Sequence, residues 1–317
     1  MTDDQGTAPP AGYGTGVRAD LNGEVHYPPV ENGLDYMVSV VEHLQGEKVG
    51  RRDLKYAVVH LQAAVECLLK YRLELEHWSL VFKNPGEAKR SELDDASLTS
   101  CTVEQTITRL TSIAGVAISE GEKTKLKQLA RLRNQLQHYG RPHDPKVNRF
   151  AIEANAAQVL EFLVHFMESE LRQHLSDSTD EVNHNLGQIY EGIDEIRDYV
   201  KARMRRLAPE LDPVKTRTVQ CPYCDQLALV VGEGDGEDVR CLYCRYQGRP
   251  DAAAWTYGEE VLGRTGWSEP VRGGPEPVED CLLCDDLALV CGAVTAADPK
   301  TPVDLCFNCG ESHSERP

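Results

Sequence analysis

Four Cys-x2-Cys pairs crowd into the last third of this 317-residue chain, and they come as two copies of one unit. Cys221 to Gly232 aligns with Cys281 to Gly292 at an offset of 60, with the run Leu-Ala-Leu-Val in both. Each copy is closed by a second pair, Cys241 with Cys244 and Cys306 with Cys309, after gaps of 16 and 21 residues. A two-residue gap lets one tight turn aim both sulfurs at a single ion. Two such pairs make a four-thiolate tetrahedral site. So short a segment cannot bury a core of its own, and a metal replaces it. The pattern therefore predicts two small β-rich zinc ribbons, at 213–255 and 256–317, each with one structural Zn2+. Four thiolates leave no open position for water, so these ions are structural and not catalytic.

The cysteines also bear on the compartment. No apolar run reaches the roughly 20 residues that span a bilayer. Residues 1–33 are rich in Gly, Pro, Asp and Thr and read as a disordered leader without a signal-peptide pattern. A cytoplasmic protein with no membrane partner is expected, whose cysteines bind metal instead of forming disulfides. Cys291 stands where Val231 stands in the first copy, and reads as a packed thiol. Cys67 and Cys101 fall on apolar helical surface.

The region 34–176 follows helical spacing throughout. Met37, Val40, Val41 and Leu44 mark a first helix. Tyr56, Val59, Leu61, Ala64, Leu68, Leu69 and Leu73 mark a long second one. Further helices are expected over about 103–113, 121–139 and 146–175, with a polar loop at 87–100 and Trp78 in the core. The fold class is mainly α, a helical bundle followed by the ribbons. Between them, at 177–212, Val182, Leu186, Ile189, Ile193, Ile196, Val200 and Leu207 follow heptad spacing, with Arg203 at the interrupted position. Such a linker helix either packs on the bundle or forms a short parallel coiled coil between two chains.

The chain carries a formal charge of −17, yet Lys123 to Arg149 holds eight basic residues against one acidic. A cationic segment on an anionic background suits a polyanion. Within it stands Arg133-Asn134-Gln135-Leu136-Gln137-His138. A histidine that titrates near neutral pH is close in sequence to an arginine that keeps its charge, a pairing suited to phosphodiester chemistry. On a regular helix Asn134 and His138 share a face, but Arg133 and His138 lie about 140° apart. Either the backbone bends near Tyr139-Gly140, or a second chain completes the site. Lys123, Lys127, Arg131, Arg141 and His143 are candidate RNA contacts. Glu66 and Lys70 are expected to pair with each other.

The segment Leu129 to Gly140, with its Arg-x4-His hexapeptide near a helix end, resembles the signature of HEPN domains. The upstream helix around Glu66 and Lys70 resembles the Glu-x3-Lys helix of the same superfamily. The resemblance covers about 34–175, and the ribbons lie outside it. It implies a metal-independent endoribonuclease acting as a homodimer, with Arg133, Asn134 and His138 in a composite cleft. A ribose 2′-OH would attack the adjacent phosphate and leave a cyclic phosphate. A toxin or antiphage-defence role follows from the resemblance alone. Two other classes stay open: a non-catalytic RNA- or nucleotide-binding module, and a zinc-ribbon scaffold for protein partners. From Glu210 onward acidic residues outnumber basic ones 20 to 9. The ribbons therefore suit an antitoxin or regulatory protein better than RNA.

Overall fold

A computed structural model describes residues 27–46, 48–144, 147–175, 179–232, 238–264 and 277–313. Helices fill the chain up to Leu211, and two small antiparallel sheets follow. α1 (Pro29–Leu44) opens on a proline, whose fixed φ and missing N–H suit a first helical turn. It thus begins inside the stretch whose composition suggests a leader; residues 1–26 lie outside those described. α2 (Arg51–Glu76) starts where Asp53 Oδ2 accepts the Gly50 N–H at 3.1 Å. Leu34, Met37, Val40, Val41 and Leu44 of α1 pack against the broad apolar face of α2. Gly33 permits that approach, since a Cβ there would stand 2.7 Å from a Leu68 methyl.

The central α2 is flanked by α4 (Val103–Ser112), α5 (Glu120–Tyr139) and α6 (Arg149–Phe166), with the one-turn α3 (Arg90–Asp94) in the expected loop. Reciprocal capping pairs start two of them, Thr102 with Gln105 and Ser119 with Glu122. Met167–Leu171 then winds as a π-helical turn into α7 (Arg172–Leu175). Trp78 is a correction to the expected core. α2 ends at Glu76, and Trp78 is left half-buried on a 3-10 turn, edge-on to Phe82.

The heptad-patterned stretch is not one linker helix. It forms α8 (Asp180–Ile193) and α9 (Arg197–Leu211), separated at Asp194–Ile196. α8 packs on α1 and α9 on α6, and the seam residues Val182, Ile189, Ile193, Ile196 and Leu207 are buried within the chain. Gly192 draws α8 in, because a Cβ there would lie 2.3 Å from Val41 Cγ1. An intermolecular coiled coil along this seam is therefore excluded, since its apolar stripe already has a partner. Arg203, the interruption in the heptad, is buried and paired with Glu161 and Glu168. Buried charge is tolerated when it is matched in this way.

The first sheet orders β1 (Thr218–Gln220), β2 (Leu227–Val230), β3 (Val239–Cys241) and β4 (Gln247–Gly248) as a meander. The second repeats it with β5 (Val278–Asp280), β6 (Leu287–Ala293), β7 (Val303–Cys306) and β8 (Ser312–His313). Between them α10 (Pro250–Thr256) runs across the 255/256 boundary and buries Ala253 and Ala254 against β6. The two ribbons are joined directly. Val219 bridges Thr295, and the Gly232 N–H donates to Phe307 O at 2.8 Å. Among the described residues, no helix is long and apolar enough to cross a membrane.

Candidate functional site

α5 is regular through Tyr139, and Gly140 ends it in the left-handed region at φ 68°. His138 therefore stays on the helix, and no bend turns it toward Arg133. Five residues on one helix rise about 7.5 Å and turn about 140°, so the two side chains serve different faces. Asn134 and His138 share the exposed face with Lys123, Lys127 and Arg131, all within about 80° of arc. Leu126, Leu129 and Leu132 hold the buried face. Arg133 points along the seam with α2. It donates to Asn134 Oδ1 at 2.9 Å and meets Glu66 Oε1 at 3.6 Å.

Glu66 is the group that the sequence reading placed only in part. It pairs with Lys70 at 3.8 Å as expected, but it also anchors Arg133 and accepts from Gln62 Nε2 at 3.3 Å. The missed signal is positional, because no spacing rule links α2 to α5. Lys70 in turn donates to Ser100 Oγ at 3.0 Å.

The cationic stripe is partly neutralised. Lys123 pairs with Glu120 at 2.7 Å and Lys127 with Glu104 at 3.1 Å. Arg149 pairs with Glu153 at 2.5 Å. Among the described residues, no ion pair holds Arg131 or Arg141. Both are exposed, as is His143 in the turn after α5. Lys146 lies outside the described residues. His138 is exposed beside Tyr139, which is 80% exposed. Phe150, 71% exposed, opens α6 beside Leu44, Val49 and Ile196.

The eight paired cysteines converge as their spacing predicts. Cys221, Cys224, Cys241 and Cys244 bring their sulfurs within 4.8 Å of one another, and so do Cys281, Cys284, Cys306 and Cys309. Sulfurs on Cys221 and Cys244 lie 3.7 Å apart, and those on Cys224 and Cys241 3.8 Å. In the second cluster, Cys281 to Cys309 is 3.8 Å and Cys284 to Cys306 is 3.7 Å. A tetrahedron with Zn–S bonds of about 2.3 Å has edges of about 3.8 Å, so the donor set fits zinc.

All four knuckles are built alike. The residue after the second cysteine of each pair has positive φ: Asp225 60°, Arg245 64°, Asp285 57° and Gly310 76°. Its N–H donates to the carbonyl of the first cysteine at 2.9–3.0 Å. Asp is among the residues that tolerate this region; the arginine there is held by contacts described below. Cys291 is buried outside both clusters, Cys101 is buried, and Cys67 is half-buried. His313 Nε2 lies 3.4 Å from Cys281 Sγ, a neighbour that spacing did not flag.

A third polar feature was not legible at all. Glu122, Arg206, Glu161, Arg203, Glu168 and Arg245 form an unbroken series of ion pairs from the start of α5, through α6 and α9, to a knuckle of the first ribbon. Burial pushes the Glu161 carboxyl up, against the pull of Arg206 and Arg203. At Glu122 burial acts the same way but is outweighed by hydrogen bonds from Ser119 and Arg206, which hold its carboxyl down. Compared with protein-family models, with curated proteins and with solved structures, this chain matches none.

Proposed function

We propose that this protein is an RNA-binding endoribonuclease of HEPN type that works as a homodimer and cuts without a catalytic metal. The observation that carries the reading is the exposed stripe Lys123, Lys127, Arg131, Asn134 and His138 on one face of α5. Cationic side chains along it suit a phosphate backbone, and the stripe ends on a histidine. Arg133, held by Glu66 and Asn134, faces another direction, so one phosphate would meet Arg133 of one copy and His138 of the other. Exposed Tyr139, beside His138, offers apolar surface on which a second copy would close.

In the cleft, one His138 would take the proton from a ribose 2′-OH as its oxygen attacks the phosphorus. The bond from phosphorus to the 5′ oxygen breaks, and a protonated His138 returns a proton to that oxygen. Arg133 would neutralise the equatorial oxygens as charge builds on them. The products are a 2′,3′-cyclic phosphate and a free 5′-OH. Each four-cysteine cluster would hold one zinc ion that stabilises its ribbon. The acidic ribbons would face a regulatory protein and not the RNA.

The test is cleavage of single-stranded and loop RNA during a brief exposure to EDTA. Wild type should leave cyclic-phosphate ends and spare DNA, which lacks the 2′-OH. His138→Ala should lose at least about 100-fold in rate. One observation favours a second reading, a binding module. Among the described residues no ion pair orients His138, and Arg133 is already engaged. If wild type and His138→Ala bind RNA equally and neither cuts, that reading replaces the first.

A further inference from the structure

The first ribbon is planted on the helices, and the seam is hollow. Between its second knuckle and the helical domain lies a cavity of about 360 Å3, walled by three arginines, Arg172, Arg203 and Arg245, by three tyrosines, Tyr190, Tyr199 and Tyr243, and by the carboxylates of Glu168 and Asp194. An adjoining opening of about 250 Å3 shares Arg172 and Arg245. Two of the three arginines are already engaged. Arg203 and Arg245 both meet Glu168, and Arg245 also lies 5.1 Å over the Tyr190 ring. Arg172 is exposed, and no carboxylate pairs with it among the described residues. Tyr243 is only 6% exposed, and its hydroxyl faces the Asp194 carboxylate in the same wall.

Three phenol rings and one free guanidinium suit a flat ring that carries an anion. Cavities of a few hundred Å3 at domain junctions are ordinary small-molecule sites. The charge balance decides the orientation. A loaded four-thiolate cluster carries about two negative charges, and Cys244 stands in the wall beside Asp194 and Tyr243. The anion therefore belongs at Arg172 and the uncharged ring toward the tyrosines. We propose that the seam between the helical domain and the first ribbon binds a mononucleotide, with its phosphate on Arg172 and its base among Tyr190, Tyr199 and Tyr243. The bound molecule would touch both domains and tie them together.

The site is separate from His138, so its test is independent of RNA cleavage. Titration calorimetry on the full zinc-loaded chain, and on His138→Ala, would use AMP, GMP, CMP and UMP as probes, with adenosine and inorganic phosphate beside them. At least one mononucleotide should bind at one site per chain, equally in both proteins. Adenosine and phosphate alone should each bind at least about tenfold more weakly, as should any nucleotide to Arg172→Ala. Tyr243→Phe, which removes only the hydroxyl, should weaken binding about three- to tenfold. Arg172 is exposed and Phe keeps the ring, so neither variant should unfold. A 5′-phosphorylated RNA octamer separates two sources of the same chemistry. Arg172-dependent binding tighter than that of the mononucleotide assigns the site to an RNA end, and weaker binding to a free nucleotide. Absence of binding by all four probes at millimolar concentration overturns the proposal, as do affinities unchanged in both variants.

Discussion

Gly232 and Gly310 meet where the two ribbons touch, both in the left-handed region, at φ 68° and 76°. A Cβ on Gly232 would fall 2.0 Å from the Gly310 α-carbon, a backbone atom that cannot swing aside. Gly232→Ala should therefore cost about 2–4 kcal/mol, measured by chemical denaturation. Gly187 is the control. It lies inside α8, and nothing stands within 4 Å of a Cβ there. Gly187→Ala should stabilise by about 0.5–1 kcal/mol through helix propensity. Two histidines set a pH dependence at the same scale. Burial lowers the pKa of His60 and of His165 below the ordinary histidine value of about 6.5, with His43 adding to the first and Arg206 and Arg203 to the second. The unfolded chain then binds protons more readily than the folded one. Their contribution is complete above about pH 6.5 and is lost as pH falls below it toward their folded values. Melting temperature should decline from about pH 6.5 downward, and His165→Gln should flatten that decline. A flat profile in wild type would contradict the assignment.

Each ribbon is an element of short strands around a four-cysteine cluster fit for zinc, and a bound ion would carry most of its stability. Elemental analysis should return about two zinc ions per chain, and Cys224→Ser should lower the count by about one. Folded, metal-free ribbons would contradict this. The four knuckles also show what the cysteine spacing carries. The Cys-x2-Cys motif was enough to foresee convergence of the sulfurs, because a local turn places both donors. It did not foresee the repeated positive φ after each pair, which the turn demands even of Arg245. α5 is the other informative element. Its exposed stripe was legible as basic, but its pairings with Glu104 and Glu120 were not. Arg131 carries no such pairing, so Arg131→Ala should weaken RNA binding and flatten the salt dependence by about 0.7 log units per log unit of salt. Lys127→Ala, already matched by Glu104, should do less.

At the scale of the whole molecule, alternating charges run from the start of α5 to the first ribbon. Removing one buried member takes a partner from two others. Arg203→Met leaves Glu161 to Arg206 and Glu168 to Arg245 alone, and should cost up to about 3 kcal/mol in denaturant unfolding. The same view changes what a seam mutation does. Ile189 is fully buried between α8 and α1. Ile189→Lys should therefore unfold the helical domain rather than separate two intact chains, a distinction that circular dichroism beside mass measurement would settle. The proposed dimer would close instead at the His138 end, where Tyr139→Asp should reduce the mass toward a monomer while leaving the helices formed.

The sequence by itself determined the elements whose causes are local. The 3.6-residue stripes of α1 and α2 set those helices, the capping pairs set their starts, and the cysteine spacing set two clusters. It also placed Asn134 and His138 on one face, since that follows from helical geometry alone. Only the tertiary structure decided where the stripes go. A heptad seam is apolar on one side whether it meets another chain or its own bundle, and packing against α1 and α6 chose the bundle. The partner of Arg133 was likewise undecidable, because Glu66 lies on another helix and proximity across 67 positions leaves no periodic trace. The hollow between the helices and the first ribbon depends on residues from three separate stretches, and no spacing in the chain announces it.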